Sequence, residues 1–570
     1  MKSGVCWEGP AIRAKLARIE EKMLEEARKW MKSRLKEMPA MWGKHIAAEH
    51  GRRGGLECAE ANRWLLDVTG KAGGRLPLSA TDWDIRQAAI EAQRTAYALA
   101  VEEMHSGAGH AGVRQALAVH CASWGIEPAQ QEGEPGLLRM LDERWYLRKL
   151  RRAHGRRAEG VAINGGVVRR GLWPYASQDA VQRRQDQRKR NAAAMDRAEA
   201  VAADGERVAM ADVVAGSLAN PEVKRAELMV RIRGCDGYAA LNDWACEFWT
   251  MTTPSRFHAQ RVTGYCCEPN PNFEKTTPRD AQAWLCGVWA RERAACKRRG
   301  LVIAGLRTAE PHHDATPHWH LIVYGPAADL EAARELLRGY LLEDAGDEPG
   351  AQEHRFNWKR AETGTGAAAY AAAYVSKNID GGGMEGERDQ ETGQKVLSAV
   401  KRVDAWAAHW GIRQFQFFGM PKVGIWRCLR RIASNSLPGH TDIYRAWVAA
   451  DESDWCNFWI HAARGGLELI KQGIGRLTEY GDAAAATVAG VAEGGRRLLL
   501  KVRDWVIHWG GVKKAGGVAF DLPWSCVNNC TPGDLLRRAA LAVERDFADM
   551  AAAIFEVDGG FSPGRERISA

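Results

Sequence analysis

Residues 310–325 read EPHHDATPHWHLIVYG, a polar, histidine-rich approach followed by an unbroken apolar run. The run 318–324 has the length and the β-branched and aromatic content of a strand. Residues 301–309 (LVIAGLRTA) have the same texture, and the turn-forming HDATP of 313–317 lies between them. The stretch therefore reads as a β-hairpin. Side chains two apart in a strand share a face, so His318 and His320 emerge together while Trp319 packs on the other side. A hairpin folded about Ala315 sets Glu310 opposite His320 and His312 opposite His318, with all four on one face. Two imidazoles and one carboxylate, with coordination positions left open, suit Mg²⁺ or Mn²⁺ when a substrate supplies phosphate oxygens. Glu310 is the natural third ligand and His312 its competitor. An H-x-H pair alone is more often a surface or core feature; the acidic residue across the hairpin strengthens the metal reading.

Outward from the hairpin, residues 247–253 (EFWTMTT) alternate like a strand and stop at Pro254-Ser255. Residues 281–299, 330–342 and 367–378 carry helical spacing, 380–394 is a Gly-, Glu- and Asp-rich loop, and 413–418 suits a strand. Strands interspersed with helices make 226–430 one mixed α and β unit. Residues 1–225 read as a mainly helical region with two basic runs, RWYLRKLRRAHGRR (144–157) and VQRRQDQRKRN (181–191). Such runs either grip a phosphate backbone or form solvated helix faces. Residues 431–570 read as mainly helical with glycine-rich breaks, and no motif in them is legible.

A second constellation is GTGAAAYAAAYVSKNID, residues 364–380. Tyr370 and Tyr374 stand four apart on an alanine-rich helical stretch, and Lys377 follows three later, so all three share a face. Two core tyrosines on an amphipathic helix are the bland alternative. A phenol with a pKa of about 10 is a poor nucleophile at neutral pH. A metal at the histidine pair that polarises a phosphate, and Lys377 stabilising its charge, would supply the missing activation.

At 570 residues the chain exceeds one ordinary core, and 46% hydrophobic with 26% charged residues is the balance of a folded globular protein. Against 71 acidic residues stand 80 Lys and Arg, a net +9 that permits nucleic-acid binding without requiring it. The thirteen cysteines form no C-x-x-C pair, and Cys266 and Cys267 are adjacent, which fits reduced thiols better than a zinc ribbon or disulfide framework. The first residues lack a signal-peptide core. The longest small-apolar run, 483–492, is half the roughly 20 residues of a membrane helix. The expectation is a soluble, cytoplasmic protein with no membrane partner.

Three stretches taken together resemble the HUH endonucleases, and within them the replication gene A proteins of P2-like phages. FWTMTTPSRFHA (248–259) is similar to the family's first motif, EPHHDATPHWHL to its metal-binding second, and YAAAYVSKNID to its two-tyrosine third. RAELMVRIRG (225–234), RVDAWAAHWGIRQFQFFG (402–419) and the basic RWYLRKLRR stretch are also similar, so the likeness covers about 135–430. Two positions depart from the family's pattern: it has a cysteine near Thr253, and its turn before the histidines usually carries glycine where Ala315 stands.

The resemblance implies an α+β fold, with a central HUH endonuclease domain whose antiparallel sheet is flanked by helices, between mainly helical N- and C-terminal regions. It implies a metal held by His318, His320 and Glu310, attack by Tyr370 or Tyr374 on a phosphodiester at a replication origin, and a 5′-phosphotyrosine with a free 3′-hydroxyl. Origin DNA, single-stranded or as a hairpin at the nick, is the implied partner. No Walker phosphate loop occurs, since Gly70-Lys71 is followed by Ala72; a host helicase and DNA polymerase are therefore expected to unwind and extend. Rival readings are an HUH transposase or relaxase, a DNA-binding prophage remnant without activity, and a metal-dependent hydrolase using water in place of tyrosine.

Overall fold

Alternation along a few short strands decides where the histidines stand. The computed structural model describes residues 10–36, 38–70, 74–263, 266–361, 375, 378–381, 386–389, 392–432, 439, 441–473, 475, 477–500, 505–509 and 523–524. Five strands, β1 (Ala245–Met251), β2 (Ala304–Pro311), β3 (Pro317–Gly325), β4 (Phe356–Ala361) and β5 (Phe415–Phe418), form one antiparallel sheet in the order β4-β1-β3-β2-β5. The fold is α+β. Around the sheet stand helices α1 (Gln178–Met195), α2 (Pro221–Leu241), α3 (Pro278–Arg299), α4 (Ala327–Leu342), α5 (Val396–Trp410) and α6 (Val423–Leu429). The sequence sets the bounds of α3: Thr277 and Asp280 form a capping box, Pro278 opens the first turn, and Gly300 closes the last at φ 70°.

Every residue of β2 is buried, and in β3 only His320 is partly open, so helices cover both faces of the sheet. On one face Trp319 donates from its indole to Gln282 of α3 at 3.0 Å. There Glu247 takes Arg334 of α4 at 2.8 Å and the Trp249 indole at 2.8 Å. On the opposite face Cys246, Leu306, Ile322, Tyr324 and Phe415 pack with Leu228, Met229 and Ile232 of α2 and with Trp426 of α6. Each large apolar side chain buried there contributes about 1.5–3 kcal/mol. That same face continues along β1, β2 and β3 as Thr250, Glu310, His320 and His318. The apolar end of the face is a core that fixes its polar end.

Residues 431–570, expected to be mainly helical, are different where they are described. Two helices, Asp442–Asp451 and Trp455–Arg464, give way to strands Glu468–Gln472, Thr487–Glu493 and Arg496–Leu499 in a three-stranded sheet. Strand Trp505–Trp509 pairs antiparallel with Ala198–Ala202, far away in the chain. The run 483–492 falls within the stretch read as mainly helical. Its glycine is instead a requirement of pairing: a Cβ on Gly490 would lie 2.0 Å from the Leu498 carbonyl oxygen of the next strand.

The chain forms two compact units, one of Gln178–His258, Thr276–Arg476 and Ala484–Ala570, which holds the sheet, and one of Met1–Ser177, Ala259–Lys275 and Leu477–Ala483. In the latter, helix Glu143–Asn164 carries the first basic run. Trp145, Tyr146 and Leu150 bury one of its faces against Ile85, Ala89 and Leu117, and Arg151 pairs with Asp82 at 2.8 Å. The second basic run lies on α1 in the sheet-bearing unit, where Arg184 and Arg188 share Asp404 of α5 at 2.8 and 3.0 Å. Part of each run thus holds the fold together. Nine of the cysteines, Cys235, Cys246 and Cys296 of the sheet-bearing unit among them, are free thiols. Among the described residues no helix is long and apolar enough to cross a membrane.

Candidate metal centre

The hairpin register differs from the expected one. Glu310 pairs with His318 and Thr308 with His320, so the ladder turns about Asp314, one residue before Ala315. The turn itself is the cause. His312 N–H donates to the Thr316 carbonyl at 2.7 Å, Ala315 N–H to the His312 carbonyl at 2.8 Å, and Thr316 N–H to Asp314 Oδ1 at 3.1 Å. These bonds put Ala315 at φ 73°, left-handed backbone that favours glycine. The Trp406 indole donates to the Ala315 carbonyl at 2.8 Å and pins the turn. A slip of two residues keeps every side chain on its face, whereas a slip of one would have reversed them.

Glu310, His318 and His320 therefore converge, each offering a ligand atom within 4.8 Å of the others. Glu310 and His318 are buried, and His320 is the more open. The Nε2 atoms of His318 and His320 stand 2.9 Å apart. Two adjacent ligands of an octahedral ion, each at about 2.0–2.1 Å, would be about 3 Å apart. The donor set and its spacing fit a divalent cation. His312 is outside this group of three; its ring stacks on His318 with centroids 4.0 Å apart. Of the two candidates for the third ligand, Glu310 lies in this group and His312 does not.

Two further residues hold the triad. Thr250 Oγ1 meets His320 Nδ1 at 3.1 Å, leaving Nε2 to face the centre. The Asn378 amide donates to Glu310 Oε1 at 2.7 Å in a buried contact. Neither was singled out from the sequence. Thr250 was findable, because it stands across from His320 once β1 is paired with β3. Behind the triad, His258 Nδ1 lies 3.3 Å from the fully buried Asp314. Burial alone would raise that carboxyl, but His258, with smaller contributions from His313 and His312, holds it well below the usual carboxylate range.

Comparison with known proteins covers the stretch that contains these residues. Residues 114–382 match the bacteriophage replication gene A protein family. The chain is 33% identical over 427 residues to the replication gene A protein of Escherichia phage 186, covering 70% of this chain and 60% of that protein. The chain belongs to the phage replication gene A family. It is also 35% identical over 410 residues to the probable replication protein P12 of Pseudoalteromonas phage PM2, covering 70% of this chain and 62% of that one. With a probable replication endonuclease from a prophage-like region of Salmonella typhi it shares 35% identity over 313 residues, 54% of this chain and 39% of the relative. The chain spans about three fifths of the length of the first of these curated relatives. No solved structure matches it.

The gene A family match extends across the two-tyrosine motif. Tyr370, Tyr374 and Lys377 lie outside the described residues. Their described neighbours in the motif are anchored. Val375 and Ile379 are buried in the core shared with α2, Asn378 holds Glu310, and Asp380 pairs with Arg225 of α2 at 3.0 Å. Ala315 stands at a turn position with positive φ, the backbone that glycine adopts most readily.

Proposed function

We propose that this gene A family member is a metal-dependent, site-specific single-strand DNA endonuclease that nicks a replication origin and later rejoins the strand. It would thereby start and end rolling-circle replication of a phage or prophage genome. The observation that carries the reading is the convergence of Glu310, His318 and His320, with Glu310 hydrogen-bonded to a residue of the two-tyrosine motif. A Mg²⁺ or Mn²⁺ ion held by these three would supply Lewis-acid polarisation of the scissile phosphate.

Tyr370 or Tyr374 is the proposed nucleophile. Its Oη forms a bond to phosphorus, the phosphorus–O3′ bond breaks, and the departing oxygen takes up a proton to become a 3′-hydroxyl while the phenol's proton is lost. Lys377 lies next to Asn378 in the chain, and its ammonium is assigned to charge on the phosphate oxygens. The phosphotyrosine retains the energy of the phosphodiester, so rejoining needs no nucleotide. Two tyrosines let one hold the old 5′ end while the other cuts the regenerated origin. Extension of the 3′ end and unwinding are assigned to host polymerase and helicase.

A supercoiled plasmid carrying the cognate origin tests the reading. Nicked circles should accumulate with Mg²⁺ or Mn²⁺ and not with EDTA, and His318→Ala should remove the activity. Nicking that persists undiminished in EDTA would exclude the proposed centre.

A further inference from the structure

We propose that a cleft on the sheet face that carries the triad, between α2 and β5, seats single-stranded DNA leading to the nick site. The proposal rests on the nickase reading above, and its test separates the two.

The cleft encloses 640 Å³, and its walls carry five cations, Lys224, Arg231, Arg413, Lys422 and Arg427, against one carboxylate, Glu227. Its volume falls within the roughly 300–1,000 Å³ of built ligand sites. The carboxylate is already committed: Arg427 takes both its oxygens, at 2.5 and 2.8 Å. An excess of positive charge therefore faces the cavity.

Arg231 is the most informative of these groups. It is 7% exposed, and its guanidinium lies over Phe417 at 3.6 Å and Trp455 at 4.7 Å. Its Nε is buried with no hydrogen-bond partner, and Glu227 comes no nearer than 4.0 Å. Burying a cation without full pairing is costly, and a phosphate in the cleft would offset that cost. Burial also lowers the pKa of Arg231 to about 10 despite Glu227, and lowers that of Lys224. Lys224 Nζ stands over the Phe415 ring at 5.1 Å.

A positively charged groove is what the phosphates of a single strand require. A cleft of this volume takes part of one strand and not a duplex. Its location adds a second argument. Phe415 and Phe417 pair with Thr308 and Leu306 of β2, the strand that carries Glu310. Gln414 of the cleft wall donates to Asn378 at 3.4 Å, and Asn378 donates to Glu310 at 2.7 Å. Arg225, beside Lys224 on α2, holds Asp380 at 3.0 Å. Cleft wall, two-tyrosine motif and triad are thus joined by direct contacts.

The test is fluorescence anisotropy of a labelled, mixed-sequence single-stranded oligonucleotide on the full chain, in EDTA so that no cutting occurs. Arg413 and Lys422 are exposed, so Arg413→Ala/Lys422→Ala should fold, as an unchanged melting temperature would verify. The double variant should weaken binding by about tenfold and lower the salt slope by about 1.4, roughly 0.7 for each lost phosphate contact. Wild-type affinity and slope in that variant would overturn the proposal. So would displacement of the oligonucleotide by inorganic phosphate at constant ionic strength, which would mark a site for free anions. His318→Ala should bind as wild type in EDTA whether or not the wild type nicks, so failure of the nickase reading leaves this result independent.

Discussion

The side-chain amide of Asn378 donates to the carboxylate of Glu310 at 2.7 Å, joining two segments 68 residues apart in the chain. One belongs to the triad, the other follows Tyr374 by four positions and Lys377 by one. The bond fixes one carboxylate oxygen of Glu310, and it ties the two motifs to each other.

Asn378→Ala should therefore weaken Mn²⁺ binding by about 10–100-fold, the range seen when a partner of a metal ligand is removed. Titration calorimetry with Mn²⁺ reads the change directly. Equal affinity in the variant and the wild type would mean that Glu310 needs no such support.

Thr250 makes a parallel prediction through His320. Thr250→Val keeps the shape but loses the hydroxyl 3.1 Å from Nδ1, and should cost about tenfold or more in metal affinity. Thr250→Ser should restore most of it. A valine variant that binds Mn²⁺ normally would show the contact to be incidental.

Ala315 tests the turn. With φ at 73° and no exposed surface, the position should accept glycine with a stability change within about 1 kcal/mol, because relief of left-handed strain opposes the added freedom of the unfolded chain. Ala315→Val should cost more than about 2 kcal/mol, since a β-branched side chain is disfavoured there and has no room. Denaturant unfolding of the two variants would contradict this if valine proved as stable as glycine.

Glu292 of α3 gives a pH signature. It is fully buried, takes the Cys296 thiol at 3.1 Å, and burial raises its pKa from 4.5 to about 7. The folded state holds this proton more tightly than the unfolded one. The group therefore costs nothing below about pH 4.5, lowers stability progressively up to about pH 7, and adds no further change above. Glu292→Gln should gain on the wild type across that window, by at most about 3 kcal/mol at 1.36 kcal/mol per pH unit. Parallel stability curves for the two proteins from pH 4.5 to 7 would show that Glu292 is not the group responsible.

The hairpin and its histidine pair were legible because alternation fixes which face a side chain takes, and that face survived an error of two in the register. Helix α3 was legible from its helical spacing over 281–299, three residues short of its start at Pro278. Asn378 was not, because its contact with Glu310 joins chain segments 68 residues apart, and Thr250 emerges only once β1 is paired with β3. The same reason hid the strands after residue 467. Val506 pairs with Val201 across some three hundred residues, and nothing local in either segment announces the partner.

The most direct test of the central claim is covalent trapping. The full chain is incubated with single-stranded origin DNA and Mn²⁺, resolved on a denaturing gel, and the DNA-linked peptide is mapped. The account predicts a protein–DNA adduct at Tyr370 or Tyr374, absent in Tyr370→Phe/Tyr374→Phe and in His318→Ala. Cut DNA with no adduct, or an adduct that survives loss of both phenols, would contradict it.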